Sequence, residues 1–473
     1  MCIPESVFAF INNTSNLCLC FLLLCNMAYS KTIFVDQKIK GTQCDHYSIE
    51  SRDCCGIKYI CFKDIQSAIN TAGYGDTIMI REGFYPEAIL LDLHDTMSGY
   101  LIITSYRQEQ VVIDGNNPAI GPLVSIQCDS VIISGLQISH SNTFGIYSRN
   151  TSGIIIDNCE VSYSNDGGIV FVDAASIQVS RCHVHHNNYR GLSAAHEAIS
   201  MHNVNTFDIC GCEVHDNREE GIDAKYGSKL GRIHHNTVYR NNGPNIYVDT
   251  ANQIDIYNNV VHSAVAKSGI SLNIESAWHT PGLAWTLKYV KLYNNIIYNN
   301  SGGIGFWLEP GNGEEKQALW DHICIINNTI VDNSRMGIDR GGGIYILNPE
   351  PENFGNHLII RNNIFCGNIN ENAKSIWDRY SKGQLKKFTI DHNMFINGES
   401  SDEFGDSAVI VDDPGFSDPV NADFSIKDGS PAIDRGSKSD IPEIDYTGRA
   451  RCIGNAPDIG AFEYYRGLLG TGP

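Results

Sequence analysis

The 473-residue sequence predicts an all-β protein, a single-stranded parallel β-helix, and two repeating elements carry that expectation. The first is the pattern Ile/Val-x-x-(Asn/Cys)-x-(Val/Ile), from ISGLQI at 133–138 through IHHNTV at 233–238 to IDHNMF at 390–395. Its fourth residues are Leu136, Cys159, Cys182, Cys212, Asn236, Asn259, Asn295, Asn328, Asn363 and Asn393, spaced by 23 to 36 residues. The second is a Gly-Ile pair, as at Gly145-Ile146, Gly168-Ile169, Gly221-Ile222, Gly269-Ile270, Gly303-Ile304 and Gly343-Ile344. Apolar residues within each repeat alternate with period two in short β-branched runs, so the units are strands and not helices.

A unit of 23 residues with three short strands and three turns makes one rung. Rungs stack about 4.8 Å apart, so equivalent positions form columns. About ten rungs are expected. Asn236 to Asn393 then form a ladder of amides, each satisfied by its neighbours and by turn backbone. Cys159, Cys182 and Cys212 extend the column; they read as small apolar groups filling a tight turn, with metal or disulfide as the alternative. Asn327-Asn328-Thr329 falls on this turn, which argues against glycosylation there.

Composition narrows the function. The chain has 34 Lys+Arg against 54 Asp+Glu, a formal charge of −20, and no basic run. That argues against nucleic acid, whose phosphates dominate binding, and against anionic membrane surfaces. A polyanionic substrate would need a bridging cation. The 42% hydrophobic content supplies a core, and 19% charged is too little for a disordered chain.

Residues 1–30 lack Lys and Arg, hold the apolar run 17–25, and end in Ala28-Tyr29-Ser30, which reads as a secretory signal with a small-residue cleavage site. The alternative is a start placed too far upstream. No other run is long and apolar enough to span a membrane. A secreted or cell-surface monomer is expected. Cys44, Cys54, Cys55 and Cys61 then favour one or two local disulfides, with a small metal knot as the weaker alternative.

An open solenoid end needs a cap. Thr32 to Asp36 reads as a strand, and Phe62, Ile65, Ile69 and Ala72 recur at helical spacing before Gly75-Asp76-Thr77-Ile78. With Gly83-Phe84-Tyr85-Pro86-Glu87, this segment resembles the amino-terminal cap of secreted right-handed parallel β-helix, or pectin-lyase-like, proteins. Asp423-Phe424, Ser430-Pro431-Ala432-Ile433-Asp434 and Asp458 to Glu463 resemble the choice-of-anchor segment that follows such helices in secreted bacterial proteins. The expected organisation is a signal at 1–30, a cap and first rungs at 31–115, helix repeats at 116–400, and an anchor-like cap at 401–473, the cap and the last segment resting on the resemblance. Ten residues follow Glu463, and no sorting domain or membrane tail is expected there.

The longest spacings carry their extra residues at about 276–288, 309–321 and 347–357, building a wall beside one face. The five tryptophans lie in or beside these loops and the 366–388 loop. Indoles there either stack on sugar rings or pin the loops; Trp278, Trp285 and Trp307 are the candidates for substrate contact.

Two-residue alternation places Asp223 and Lys225 outward if Ile222 points inward. On the next rungs Tyr247 then stacks on Asp223 and Asp249 on Lys225, followed by Ser271, Asn273 and Glu275, then Trp307 and Glu309. Glu219, Glu220 and Asp223 are three carboxylates suited to calcium, a hard cation that takes oxygen ligands. Glu-Glu-Gly-Ile-Asp-Ala-Lys is similar to the Asp-Asp-Gly-x-Asp calcium motif of family-nine polysaccharide lyases, which implies Glu219, Glu220 and Asp223 as ligands. The family's later Gly-x-Lys-Leu-Gly motif, which carries its base, is missing, and Lys225 stands in for that base. Asp249 joins the ligands if calcium binds there, and Tyr247 and Asn273 would contact substrate.

The chemistry expected is calcium-assisted β-elimination on a uronic-acid glycan, with His196 and Glu197 as acid–base partners. The alternative at Lys225 is a plain ion pair with Asp249 on an exposed sheet. A glycosidase pairing two of Asp223, Asp249, Glu275 and Glu309, or an epimerase, is a further reading. A non-catalytic glycan-binding or adhesion protein is the competing class. Nine of sixteen histidines fall between His183 and His262. His185, His215, Tyr239 and His262 share a column that reads as a polar stack, with transition-metal binding at His185 and His215 as the alternative.

Overall fold

The computed structural model describes residues 30–94, 99–115, 121–275, 284–309, 317–333, 341–368, 374–378, 380, 382–396 and 407–465. The expected signal up to residue 29 and Trp278 lie outside these residues.

The chain coils through three long parallel sheets. The first has 15 strands ending at Phe388–Asp391, the second 13 from Gly83–Tyr85 to Val409–Val411, and the third 11 from Ile89–Leu91 to Ile376–Asp378. One rung runs Asn205–Cys210, Glu213–His215, Ile222–Lys225, after which Lys229–His234 opens the next. The solenoid is therefore longer than about ten rungs. Its early turns, with Gly83–Tyr85 and Val111–Asp114 in the second sheet, carry no Asn or Cys marker.

The residue before each ladder position turns the chain sharply in the left-handed region. Asn258, Asn294, Asn327 and Asn362 have φ of 54°, 56°, 55° and 56°. Asparagine enters that region at little cost, which accounts for the Asn-Asn doublets. The ladder forms as expected. Asn259 Oδ1 accepts from the Asn236 backbone N–H and from Asn236 Nδ2, both at 3.0 Å, and the pattern repeats through Asn295, Asn328 and Asn363 to Asn393. The Cys159, Cys182 and Cys212 thiols are free and buried, and each donates to backbone carbonyls.

A second ladder was not anticipated. Asn187, Asn217 and Asn241 bond in sequence, as do Asn300, Asn333 and Asn368. Each sits five residues after a position of the first ladder. Asn259 is followed at that spacing by Ala264, and Asn245 fills the gap by bridging Asn241 and Asn300. This ladder closes on the glycine of two Gly-Ile pairs: a Cβ at Gly221 or Gly269 would lie 2.7 Å from the Nδ2 of Asn241 or Asn300.

The third-sheet isoleucines at 222, 246, 270, 304, 344 and 376 form a fully buried inward column. Each contributes about 1.5–3 kcal/mol of apolar burial. At the amino end, a short helix Ile65–Ile69 covers the core, with Asp64 accepting from Ser67 N–H. Glu87 accepts from the N–H groups of Ile65 and Gln66, which gives the Gly-Phe-Tyr-Pro-Glu segment its role in the cap. Strands Gln43–Tyr47 and Tyr59–Phe62 pair antiparallel at the edge of the first sheet, and Cys44 and Cys54 form a disulfide.

The carboxy-terminal segment packs along the solenoid. Phe416, Phe424, Ile426, Ile459 and Ala461 cover the outward residues Ile296, Val331 and Ile364 of the second sheet. The left-handed asparagines hold it: Asn327 Nδ2 donates to Asp458 O and Gly460 O, and Arg451 bridges Asn294 Oδ1 to the Gly460 and Ala461 carbonyls.

Candidate functional site

The third sheet sets the registers expected from alternation. Asp223 aligns with Tyr247 and Lys225 with Asp249, then Tyr247 with Ser271 and Asp249 with Asn273, and Asn273 with Trp307. Ser200 and His202 precede Asp223 and Lys225 on the rung before.

This outward face is not exposed. Asp223 and Asp249 are at most 1% accessible and Lys225 is 7% accessible. Lys225 pairs with Glu197 and, at 3.2 Å, with Asp223; the plain Lys225–Asp249 pair on an exposed sheet does not form. The 30-residue rung delivers Glu197 over the strand, and Ser200 Oγ donates to Glu197 Oε2 at 2.7 Å while contacting His196 Nδ1 at 3.2 Å. His196, Glu197 and Lys225 are thus brought together.

Burial pulls Lys225 down, but the Glu197 and Asp223 carboxylates outweigh it and hold the ammonium above the ordinary lysine range. Burial pushes Glu197 up, and the Lys225 charge more than reverses this, bringing it to about 2. Burial lowers His196 to about 4, so its imidazole is neutral at physiological pH. Glu220 is pushed up to about 8 by burial and by the charges of Glu197 and Glu219. Asp223 and Asp249 are raised well above the usual carboxylate range, first by burial and then by neighbouring carboxylates.

The carboxylates Glu197, Glu219, Glu220, Asp223 and Asp249 outnumber the two lysines that act on them, Lys225 and Lys267. Glu219 Oε1, Asp223 Oδ1 and Asp249 Oδ2 are buried without hydrogen-bond partners among the described residues, while Asp223 Oδ2 faces Lys225 Nζ at 3.2 Å. Such orphaned oxygens fit a hard divalent cation. They do not form a closed cage: the three-residue groups with ligand atoms within 4.8 Å of one another are His183–Glu213–His215 and Asp208–Cys210–His234, among the described residues.

A cleft beside the cluster is lined by Glu220, Tyr247, Asn273, Glu275, Trp307 and Tyr345, among others. It gathers Tyr247, Asn273 and Trp307 as the columns predict. Tyr226 and Tyr247 both donate to Glu275, and Asn273 Oδ1 accepts from the Trp307 backbone N–H at 3.0 Å. Gly305 leaves room for the Tyr345 ring, whose atoms would lie 2.6 Å from a Cβ there. Trp307 is half-buried against Tyr345, Leu347 and Trp377. Trp285 is half-buried and packs against the core. Trp320, fully buried, donates to Leu272 O and pins its rung. Tyr226, Ser200 and Tyr345 were missed: Ser200 and Tyr226 lie on or just after strands already assigned, but nothing in a single sequence shows which outward residues a long rung will cover.

The description "Right handed beta helix region" matches residues 103–229 and 192–311. Pectate lyase Pel9A superposes with a TM-score of 0.51 at 12% identity, covering 93% of this chain and 98% of that one. The fold is a right-handed parallel β-helix. PfbA, a surface adhesin of Streptococcus pneumoniae, superposes with a TM-score of 0.49 at 12% identity over 70% of this chain and 79% of that one. The uncharacterized protein YwoF of Bacillus subtilis (strain 168) is 25% identical over 446 residues, 80% of this chain and 89% of its own. No helix among the described residues is long and apolar enough to cross a membrane.

Proposed function

We propose that this β-helix acts on uronic-acid-containing polysaccharides as a calcium-assisted lyase, in the cleft over Glu219–Asp249. The observation that carries the reading is Lys225, buried beside the cleft and paired with Glu197 and Asp223 within a cluster of buried carboxylates. The likeness of the scaffold to pectate lyase Pel9A supports a carbohydrate substrate.

Glu219, Glu220, Asp223 and Asp249 would hold the calcium, which when bound neutralises a substrate carboxylate and acidifies the neighbouring C5 proton. The residues of the chain do the rest. In the arrangement described, Glu197 and Asp223 keep Lys225 protonated, so it is no base. With Asp223 and Glu220 engaged as ligands, Glu197 remains the carboxylate that holds the lysine proton; once that proton is lost to solvent, the amine would accept the C5 proton while the C4–O bond breaks and the leaving oxygen takes a proton from water. Glu197 fixes the Nζ position and stabilises the ammonium that results. Trp307 and Tyr345 offer aromatic surface to the sugar rings.

A second reading is favoured by the satisfied Lys225–Glu197 pair: a glycan-binding surface protein in which the pair is structural. Ultraviolet absorbance of unsaturated chain ends separates the two, using pectate, alginate and glycosaminoglycans with calcium or a chelator. The lyase gives a rising signal that chelator and Lys225→Ala abolish. Saturable glycan binding with no signal on any polymer would leave the binding protein, and released reducing ends without unsaturation would point to a hydrolase.

A further inference from the structure

The geometry points to a second site, a divalent transition-metal centre of the zinc class formed by His183, Glu213 and His215 on the outer face of the second sheet. It stands apart from the cleft, which belongs to the third sheet. His183 and Glu213 are paired in register on adjacent rungs, and His215 lies two residues beyond Glu213 on the same face. Their ligand atoms all fall within 4.8 Å of one another.

The ring nitrogens are already arranged for coordination. His183 Nε2 faces His215 Nε2 at 2.7 Å. Asp216 Oδ2 lies 2.6 Å from His215 Nδ1, so that nitrogen carries the proton and Nε2 keeps its lone pair. A carboxylate behind a ligating imidazole is the usual outer partner of a metal-bound histidine. The Tyr239 hydroxyl donates to Glu213 Oε1 at 2.6 Å and fixes the carboxylate. The rings cannot slide apart freely: His185 stacks on His215 at 5.3 Å, and Tyr239 stacks on its other side at 4.7 Å.

Without an ion, the two Nε2 atoms are held together by one proton, donated from His183. A tetrahedral ion bonded to each at about 2.0–2.1 Å would set them about 3.3 Å apart, a small ring rotation. Binding transfers the His183 proton to its Nδ1 or to water. Two histidines and a carboxylate leave a fourth position for water or a ligand, and Glu213 is exposed to admit one.

The test uses the full chain, free of any tag and stripped of metal, titrated with Zn²⁺ by calorimetry and with Co²⁺ by visible absorption. One equivalent of Zn²⁺ is expected, weakened at least 10-fold in His183→Ala and in Glu213→Gln, with a tetrahedral Co²⁺ spectrum. Glu213→Gln changes an exposed side chain and retains the fold, which a thermal melt in chelator verifies. Absence of stoichiometric binding would overturn the site, as would undiminished binding in both variants. A Co²⁺–thiolate band would also overturn it, by placing the ion at Asp208–Cys210–His234.

Discussion

Lys225 Nζ lies 3.2 Å from Asp223 Oδ2 on the same strand while it is also paired with Glu197, and all three side chains are buried. Removing one partner from such a pair strands the other charge. Lys225→Met should destabilise the protein by about 3–5 kcal/mol at pH 7, and adding Glu197→Gln should restore part of that loss. Urea unfolding of the single and double variants measures both. If the double variant is no more stable than Lys225→Met, the pair is not coupled as described.

The same cluster sets a pH dependence. Glu220 titrates at about 8 in the fold against 4.5 for the free side chain. Its raised value favours folding fully below pH 4.5, and that advantage is lost as pH climbs through 8. Glu197 runs the other way: lowered to about 2, it supports folding above 4.5 and loses that support as pH falls toward 2. Glu220→Gln should therefore raise stability at pH 8 by about 1–3 kcal/mol relative to wild type and change little at pH 4.5. Unfolding free energies at the two pH values provide the comparison, and an equal shift at both would contradict it.

Asn328 satisfies the Asn295 N–H and amide while donating to Leu292 O and Asn363 Oδ1. Asn328→Ala leaves several of these groups buried and unpaired at about 1–3 kcal/mol each. A loss of about 2–5 kcal/mol is expected, read from the urea midpoint. A drop no larger than that of an exposed control such as Asn421→Ala would mean the ladder carries little of the stability.

Trp307 is the half-buried tryptophan that lines the cleft. Trp307→Ala should weaken binding of an oligomeric uronic-acid glycan by about 1–2 kcal/mol, near 10-fold, with the solenoid intact by circular dichroism. Unchanged affinity in calorimetry would place the sugar elsewhere.

Periodicity made the solenoid legible. The Asn column, the strand faces and the registers that bring Tyr247, Asn273 and Trp307 together all follow from a repeat of fixed length and from two-residue alternation. The second ladder was legible too, since Asn187, Asn217 and Asn241 keep a five-residue offset from the first. The partners of Lys225 were not. Glu197 reaches it from a long rung whose path alternation does not determine, and its contact outweighs Asp249, the direct neighbour in register. The metal-ligand geometry at His183 was hidden for a similar reason: it depends on ring orientation across rungs, while the sequence column paired His185 with His215. Trp285 and Trp320 show the same limit, because composition marks an indole near a loop but not which way it packs.

The central claim is that the buried carboxylates around Lys225 form a calcium site. Calorimetric titration of the full chain with calcium at pH 7 tests it most directly, comparing wild type with Asp223→Asn. The account predicts about one equivalent bound with net release of protons, because Glu220, pushed up to about 8, holds its proton at pH 7 until the cation arrives. It also predicts loss of binding in Asp223→Asn. No binding to the wild type, or equal binding to the variant, would contradict it.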